Sequence, residues 1–194
     1  MKMMGISQNV GTSLCMLKTW NDENQTTWCR DIHIDIAKGG FEGHLAIGDA
    51  LVSMYAKCGI MSKAQEVFDS LPLRNIVTWT SLMGGYAQDL NSKQVLECWK
   101  WMKMEGIPLD AIAYACLLKT CGSIKDLKKG KEIHAIITQR ALETNLLVGN
   151  ALIDMYSSCG LICKAQEVFD KLLLPDIISW TSLLSGLVKH GYAE

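Results

Sequence analysis

The heptapeptide KAQEVFD occurs twice, at residues 63–69 and 164–170, and this repetition decides the fold. A shift of 101 residues also places the tetrapeptide WTSL at 79–82 on its copy at 180–183. The correspondence continues outward in both directions without a gap. Self-similarity at a long fixed period is typical of proteins built from stacked structural repeats.

A shorter, helical period lies inside the two copies, which span residues 1–93 and 102–194. Apolar residues recur at i, i+3, i+4 and i+7, the spacing of one face of an α-helix. Because a helix with one apolar face must bury that face against neighbours, we expect paired helices that stack. The sequence therefore predicts an all-α fold, an α-solenoid of helix-turn-helix repeats, and its resemblance to repeat families of this kind implies a right-handed, tetratricopeptide-like superhelix. The predicted buried stripes are Ala64, Val67, Phe68, Leu71 with their copies Ala165, Val168, Phe169, Leu172, and Trp79, Leu82, Met83, Tyr86 with their copies Trp180, Leu183, Leu184, Leu187.

Glycine, proline and short polar residues mark the expected helix ends. Gly59 and Gly160 are predicted to end first helices, and Ser62 and Asn91 to cap the N-termini of second helices. Prolines cannot continue helical hydrogen bonding. They are expected to follow second helices at Pro72, Pro108 and Pro175.

Composition excludes several classes of protein. Hydrophobic residues make up 49% of the chain, but no apolar run reaches the ~18 residues expected of a membrane helix, so no membrane span is predicted. A formal charge of −1 gives no bulk attraction to polyphosphate. The eight cysteines include no Cys-x-x-Cys pair, and Cys58 and Cys159 occupy equivalent repeat positions. We therefore predict no metal, cofactor or disulfide.

Recurring phrases identify the family that the chain resembles. They include Met54-Tyr55-Ala56-Lys57-Cys58-Gly59, Trp79-Thr80-Ser81-Leu82, Gly85-Tyr86-Ala87 and Gly130-Lys131-x-Ile133-His134. The chain resembles the plant pentatricopeptide repeat family, specifically its PLS class, in which 35-residue P, ~35-residue L and 31-residue S motifs alternate. The resemblance implies a single solenoid with the end of a P motif at 1–9, a degenerate L motif at 10–44, S at 45–75, P at 76–110, L at 111–145, S at 146–176 and the start of a P motif at 177–194.

The tetratricopeptide repeat is the nearest competing family. Trp79, Leu82 and Tyr86 meet part of its pattern. However, Met83 and Leu184 stand where that family has glycine, and its uniform 34-residue period does not give an alternation of 35 and 31.

The resemblance implies that each repeat reads one RNA base with its fifth and last residues, while an aliphatic second residue packs on the base. The P motif offers Thr80 with Asp110, a pairing that favours guanine in the family, and Val77 as the packing residue. A short hydroxyl or amide can meet a base edge, and a carboxylate can accept from a ring N–H or orient its neighbour.

The later S motif offers Asn150 with Asp176, a pairing that favours uracil in the family, and Leu147 as the packing residue. The earlier S motif has the uncommon pair Asp49 and Asn75.

The remaining motifs offer less. The last, partial motif has Thr181 with Ile178 in the packing position, and the L motifs place Leu14 and Ala115 where no hydrogen bond is possible. In the first L motif, residues 28–30 read Trp-Cys-Arg where the second copy reads Lys-Gly-Lys. In an alternative interpretation, each of these polar residues is only part of the N-terminal end of a helix and contacts no ligand.

The family resemblance implies single-stranded RNA binding in organelle RNA modification or processing, above all cytidine-to-uridine editing. The partners would be RNA, bound weakly by this segment alone, and RNA-editing or processing proteins. The chain would be a monomer residing in a mitochondrion or plastid, although it shows no import peptide. The zinc set of the editing deaminases, His-x-Glu with Cys-x-x-Cys, is missing from the sequence, so no enzyme activity is predicted. The alternative function is a protein-interaction scaffold, or a degenerate fragment with no RNA ligand.

Overall fold

A computed structural model describes residues 9–18 and 25–191, and this part of the chain contains eleven α-helices and no β-strand. Most of the predicted motif end at 1–9, residues 19–24 of the first L motif and residues 192–194 of the last motif lie outside the described residues. The all-helical expectation is confirmed for the part described. The helices are α1 Val10–Lys18, α2 Gln25–Lys38, α3 Leu45–Lys57, α4 Met61–Ser70, α5 Ile76–Gln88, α6 Ser92–Met104, α7 Ala111–Ser123, α8 Leu127–Gln139, α9 Leu146–Ser158, α10 Ile162–Asp170 and α11 Ile177–Lys189.

The chain divides into two compact units, one up to Gly85 and the other from Tyr86. In the first unit, α3 is central and packs against α1, α2 and α4. In the second unit, α9 is central and packs against α7, α8, α10 and α11. The core of each unit therefore forms where α3 or α9 packs against its neighbouring helices. This is expected for repeats, because a single repeat cannot bury its apolar face.

The predicted stripes of the second helices are buried in both units. Val67 and Phe68 are nearly covered in α4, and Val168 and Phe169 are nearly covered in α10. Phe68 also meets the ring of Trp79 edge to face, with centroids 4.6 Å apart. This geometry is a preferred one for aromatic pairs.

The predicted stripe of α11 is only partly buried, so that expectation is corrected. Leu183 is buried, but Trp180 and Leu184 are 51% and 52% exposed, whereas the equivalent Trp79 and Met83 are buried. α11 packs on α9 and α10, and it is the last helix in the part of the chain described. Its remaining apolar side chains therefore have no described helix to cover them.

Helix ends follow the predicted chemistry with one exception. Gly59 and Gly160 adopt φ of +70° and +79° directly after α3 and α9, a backbone region that favours glycine. The Asn91 side chain caps α6, as expected. Ser62 is not a cap, because α4 already begins at Met61. The three prolines follow α4, α6 and α10, as predicted.

Candidate nucleic-acid interface

The structure brings together the two residues predicted to read a base in the later S motif. Asn150 lies in the second turn of α9, and Asp176 is the N-cap of α11. The Asn150 side-chain amide donates from Nδ2 to Asp176 Oδ1 at 3.0 Å. Ser179, which is fully buried, completes the group by donating from its hydroxyl to Asn150 Oδ1 at 2.5 Å.

Asp176 is held by the start of its own helix. Its Oδ1 accepts from the Ser179 backbone N–H at 2.8 Å, and the Ser179 hydroxyl accepts from the Asp176 backbone N–H at 3.1 Å. This reciprocal capping fixes the carboxylate relative to α11. The hydrogen bond from the Ser179 backbone N–H, assisted by that from the Asn150 amide, outweighs burial and lowers the pKa of Asp176.

The earlier S motif builds the same arrangement with acid and amide exchanged. Asn75 donates from Nδ2 to Asp49 Oδ2 at 2.7 Å, and the Thr78 hydroxyl donates to Asp49 Oδ1 at 2.5 Å. The Thr78 backbone N–H donates to Asn75 Oδ1 at 3.0 Å. The fifth position is therefore an acceptor-only carboxylate in the first unit, whereas in the second it is an amide that both donates and accepts.

The threonines of the P motifs are bonded to their own helices. The Thr80 hydroxyl, in a side chain that is 7% exposed, donates to the Ile76 carbonyl at 2.8 Å. The exposed Thr181 hydroxyl donates to the Ile178 carbonyl at 3.0 Å. Asp110 caps α7 by accepting from the Ala113 backbone N–H at 2.8 Å. Because Thr80 and Asp110 belong to different compact units, their pairing stays a prediction.

The three predicted packing residues are exposed apolar side chains in the first turn of a helix. Val77, Leu147 and Ile178 are 53%, 48% and 55% exposed. Each lies three residues before a predicted base-reading residue, and residues three apart share one face of a helix. An apolar contact surface therefore accompanies each polar position.

A cleft in the first unit gathers several of these positions. Its volume is about 430 Å³, and Leu14, Ala46, Asp49 and Val77 line it, together with Lys57. It thus combines an apolar wall, one carboxylate and one cationic side chain.

Thr78 and Ser179 are members of the polar groups that the sequence analysis missed. They lie 101 residues apart, and each stands three residues after the last residue of an S motif. A polar residue followed three positions later by Ser or Thr at a helix start was a usable signal for reciprocal capping. The bond from Thr78 to Asp49 and the bond from Ser179 to Asn150 could be found only in the folded structure. Ser179, for example, reaches Asn150 only because α9 and α11 pack together.

A second repeated group ties neighbouring helices through histidine. His134 Nδ1 lies 2.7 Å from Tyr156 Oη, and its Nε2 lies 2.9 Å from Glu143 Oε1. Since a carboxylate only accepts, Nε2 donates to Glu143, and in the neutral ring Nδ1 accepts from the tyrosine. His33 and Tyr55 repeat the contact at 2.8 Å, and burial raises the pKa of Tyr55 to about 12. These histidines therefore connect neighbouring helices through their hydrogen bonds to tyrosine.

Glu143 is the anionic end of the second histidine group. Burial acts to raise its pKa, but hydrogen bonds from Thr138 and His134 and the charge of Lys171 outweigh burial and lower it. The Thr138 hydroxyl donates to Glu143 Oε1 at 2.9 Å, and the Lys171 ammonium lies 3.4 Å away. Glu143 is thereby kept ionised at neutral pH.

Among the described residues, no group of three or more His, Cys, Asp or Glu side chains could hold a metal ion. No helix in the same residues combines the length and apolar character needed to cross a bilayer.

The matching family models and the similar proteins described below all belong to one family. A PPR repeat family model matches residues 74–123, and a PPR repeat model matches 49–76, 150–174 and 178–194. Curated Arabidopsis thaliana relatives carry related names. "Pentatricopeptide repeat-containing protein At3g09040, mitochondrial" is 36% identical over 81% of this chain and 15% of its own length. "Pentatricopeptide repeat-containing protein At3g24000, mitochondrial" is 33% identical over 98% and 30%, and "Pentatricopeptide repeat-containing protein At4g18520, chloroplastic" is 32% identical over 95% and 30%.

Solved structures show the same fold. The pentatricopeptide repeat protein PPR10 from maize matches with a TM-score of 0.56 and 17% identity over 97% of this chain and 33% of its own. PPR10 in complex with an 18-nt psaJ RNA element matches with a TM-score of 0.60 and 15% identity over 98% and 39%. The chain spans less than a third of the length of the curated relatives named above. It has the fold of these solenoid proteins, and it belongs to the pentatricopeptide repeat family.

Proposed function

We propose that these repeats bind single-stranded RNA, with the hydrogen-bonded pair of each S motif presented to one base. The observation that carries the proposal is the Asn150, Asp176 and Ser179 group, which fixes an amide beside the exposed Leu147. The similar protein PPR10 has been solved in complex with an 18-nt RNA element, which supports the same class of ligand. We propose a binding surface, and not a catalytic site, for these residues.

We further propose that the chain is of the PLS class, with the motif boundaries given above. Residues 45–75 contain α3 and α4, 76–110 contain α5 and α6, 111–145 contain α7 and α8, and 146–176 contain α9 and α10. One helix pair per motif supports this division. The lengths of 31, 35, 35 and 31 residues support the alternation of S, P, L and S.

Base preference follows from donor and acceptor chemistry. Asn150 carries both a donor and an acceptor, as does the pairing edge of uracil, and its bonds to Asp176 and Ser179 fix the orientation of its amide. Asp49 can only accept, so it suits a base edge that presents N–H groups, as on cytosine or guanine. The Thr80 and Asp110 pair is proposed to read guanine.

The proposed binding is weak for these residues alone. A good bidentate base contact discriminates by roughly 1–3 kcal/mol, whereas micromolar affinity requires about 8 kcal/mol. Few repeats offer complete pairs, and the formal charge is −1. We therefore propose that the chain acts as part of a longer repeat tract, as a monomer, in cytidine-to-uridine editing or related RNA processing, without a deaminase-like domain among its own residues. The names of the relatives support a mitochondrial or plastid location.

The test is a change of base preference by a single substitution. Asn150→Thr converts the later S motif to the Thr and Asp combination of the P motif. In fluorescence anisotropy with short RNAs that differ only at the base facing this motif, the chain should prefer uracil. The variant should prefer guanine, with a relative change of roughly tenfold.

Lys164→Ala is the matched control, because Lys164 lies on a second helix and its ammonium pairs with Glu167 on the same helix. It should leave the preference unchanged, and circular dichroism should show that both variants keep their helix content. An unchanged preference in folded Asn150→Thr would refute the base-reading role.

A protein-interaction scaffold is the second candidate. The negative formal charge and the apolar fifth positions Leu14 and Ala115 favour it. Failure of the chain to bind any of the RNAs at low salt, where phosphate contacts are strongest, would select this alternative.

A further inference from the structure

Two cysteines of the first unit lie in contact although 29 residues separate them in sequence. Cys29 belongs to α2, and Cys58 is the C-cap of α3. Their Sγ atoms are 3.1 Å apart, and both are free thiols. Cys29 is fully buried, whereas Cys58 is partly exposed.

The pair exists in only one of the two sequence copies. Cys58 has its equivalent in Cys159, but the position equivalent to Cys29 is Gly130. A Cβ atom at Gly130 would lie 2.6 Å from the Met155 Sδ, so the second unit has little room there for a side chain. Residues 28–30, where the first L motif differs from its copy, thus contain the second thiol of the pair, Cys29.

We propose that Cys29 and Cys58 form an oxidative modification site that closes to an intramolecular disulfide on reaction with a low-molecular-weight disulfide. Bonded sulfurs are ~2.05 Å apart, so closure requires the two sulfurs to approach by only about 1 Å. The reaction is independent of RNA binding, and its test does not rely on the proposed function.

The exposures of the two thiols assign their order of reaction. The Cys58 thiolate attacks one sulfur of the small disulfide, forms a mixed disulfide and releases one small thiolate. The Cys29 thiolate then attacks the Cys58 Sγ and releases the second small thiolate. The two protein thiols lose two electrons and two protons, and the small disulfide gains both to become two thiols.

The environment of Cys29 supports its role as the second, resolving thiol. Burial, followed by the hydrogen bond and charge of Cys58, raises the pKa of Cys29 to about 12. A protonated thiol does not attack an outside disulfide at an appreciable rate. Once Cys58 carries the mixed disulfide, proximity makes the second step intramolecular and compensates for the small thiolate fraction.

Closure would connect α2 to the C-terminal end of α3. Because a cross-link removes conformations from the unfolded chain, the oxidised protein should melt at a higher temperature. We expect the melting temperature to rise by at least about 5 °C, and a reducing agent should reverse the rise.

The experiment treats the 194-residue chain with glutathione disulfide and follows it by intact mass spectrometry and thiol counting. The Cys29 and Cys58 peptides should together lose about 2 Da through a mixed-disulfide intermediate, whereas the exposed Cys15 and Cys163, among the eight cysteines, only add glutathione. Peptide mapping should join Cys29 to Cys58.

Three variants assign the steps. Cys29→Ser should stop at the mixed disulfide on Cys58, and Cys58→Ser should leave Cys29 unmodified. Cys159→Ser, at the equivalent position of the second copy, should form the cross-link as the wild type does. Circular dichroism checks that each variant is folded. The measurement on the wild type tests the proposal even if a variant does not fold. Absence of the mass loss, a cross-link between other cysteines, or loss of the cross-link in Cys159→Ser would overturn the proposal.

Discussion

Ser179→Ala is expected to destabilise the second unit by about 2 kcal/mol. The hydroxyl is fully buried, donates to Asn150 Oδ1 at 2.5 Å and accepts from the Asp176 backbone N–H at 3.1 Å. Leaving one buried polar group without a partner costs roughly 1–3 kcal/mol. Asn150 is 8% exposed, so water can replace little of the lost bond. The higher helix propensity of alanine returns up to about 0.5 kcal/mol.

Urea unfolding followed by circular dichroism measures this effect through the midpoint and the slope of the transition. Thr181→Ala is the control, since that hydroxyl is exposed and bonds only within its own helix. It should change stability by no more than about 0.5 kcal/mol. In a double-mutant cycle, Ser179→Ala and Asn150→Ala should couple by at least about 0.5 kcal/mol. If Ser179→Ala and Thr181→Ala changed the stability equally, or if the double-mutant cycle showed no coupling, the polar group would not act as one unit.

Further outcomes are expected for five substitutions. Glu143→Gln should lower stability by about 1 kcal/mol at pH 7, after allowance for partial exposure. The lowered folded-state pKa means that this contribution is present above the ordinary value of 4.5 and is lost as pH falls through the folded-state pKa, so the urea midpoints of the two proteins should converge once the pH is below that folded-state pKa. Tyr156→Phe should cost about 1 kcal/mol because it removes the bond to a histidine. Tyr114→Phe, which removes a buried hydroxyl with no partner in the described structure, should be neutral or stabilising; equal losses in thermal melts would contradict this. Gly149→Ala should lower the melting temperature, because its Cβ would lie 2.5 Å from a leucine side-chain carbon. Gly84→Ala, with nothing within 4 Å, should stabilise by roughly 0.4–1 kcal/mol, and a loss of stability there would refute the packing argument.

The repeat register could be predicted from the sequence because helical burial leaves a period in the chain. The 101-residue shift correctly placed the buried stripes of α4 and α10 and the turns at Gly59 and Gly160. These features depend on local chemistry, namely apolar spacing and left-handed backbone at a helix end. The same reasoning failed for Ser62, because the capping residue is set by where the chain turns and not by the nearest hydroxyl.

The interface was predicted only in part. The sequence named Asn150 and Asp176, and the structure places them in one hydrogen-bonded group. It did not name Ser179, whose buried hydroxyl depends on how α11 packs against α9. Whether Asn150 reads a base remains a prediction that the anisotropy measurement addresses.

The sequence by itself determined that the chain is helical, repetitive and amphipathic, because each of these properties follows from the spacing of residue types along the chain. Only the tertiary structure decided which side chains meet across two helices, such as Cys29 with Cys58 or His134 with Tyr156. The physical reason is that a period specifies which face of a helix is apolar, whereas the neighbour that covers this face is fixed by packing between distant segments.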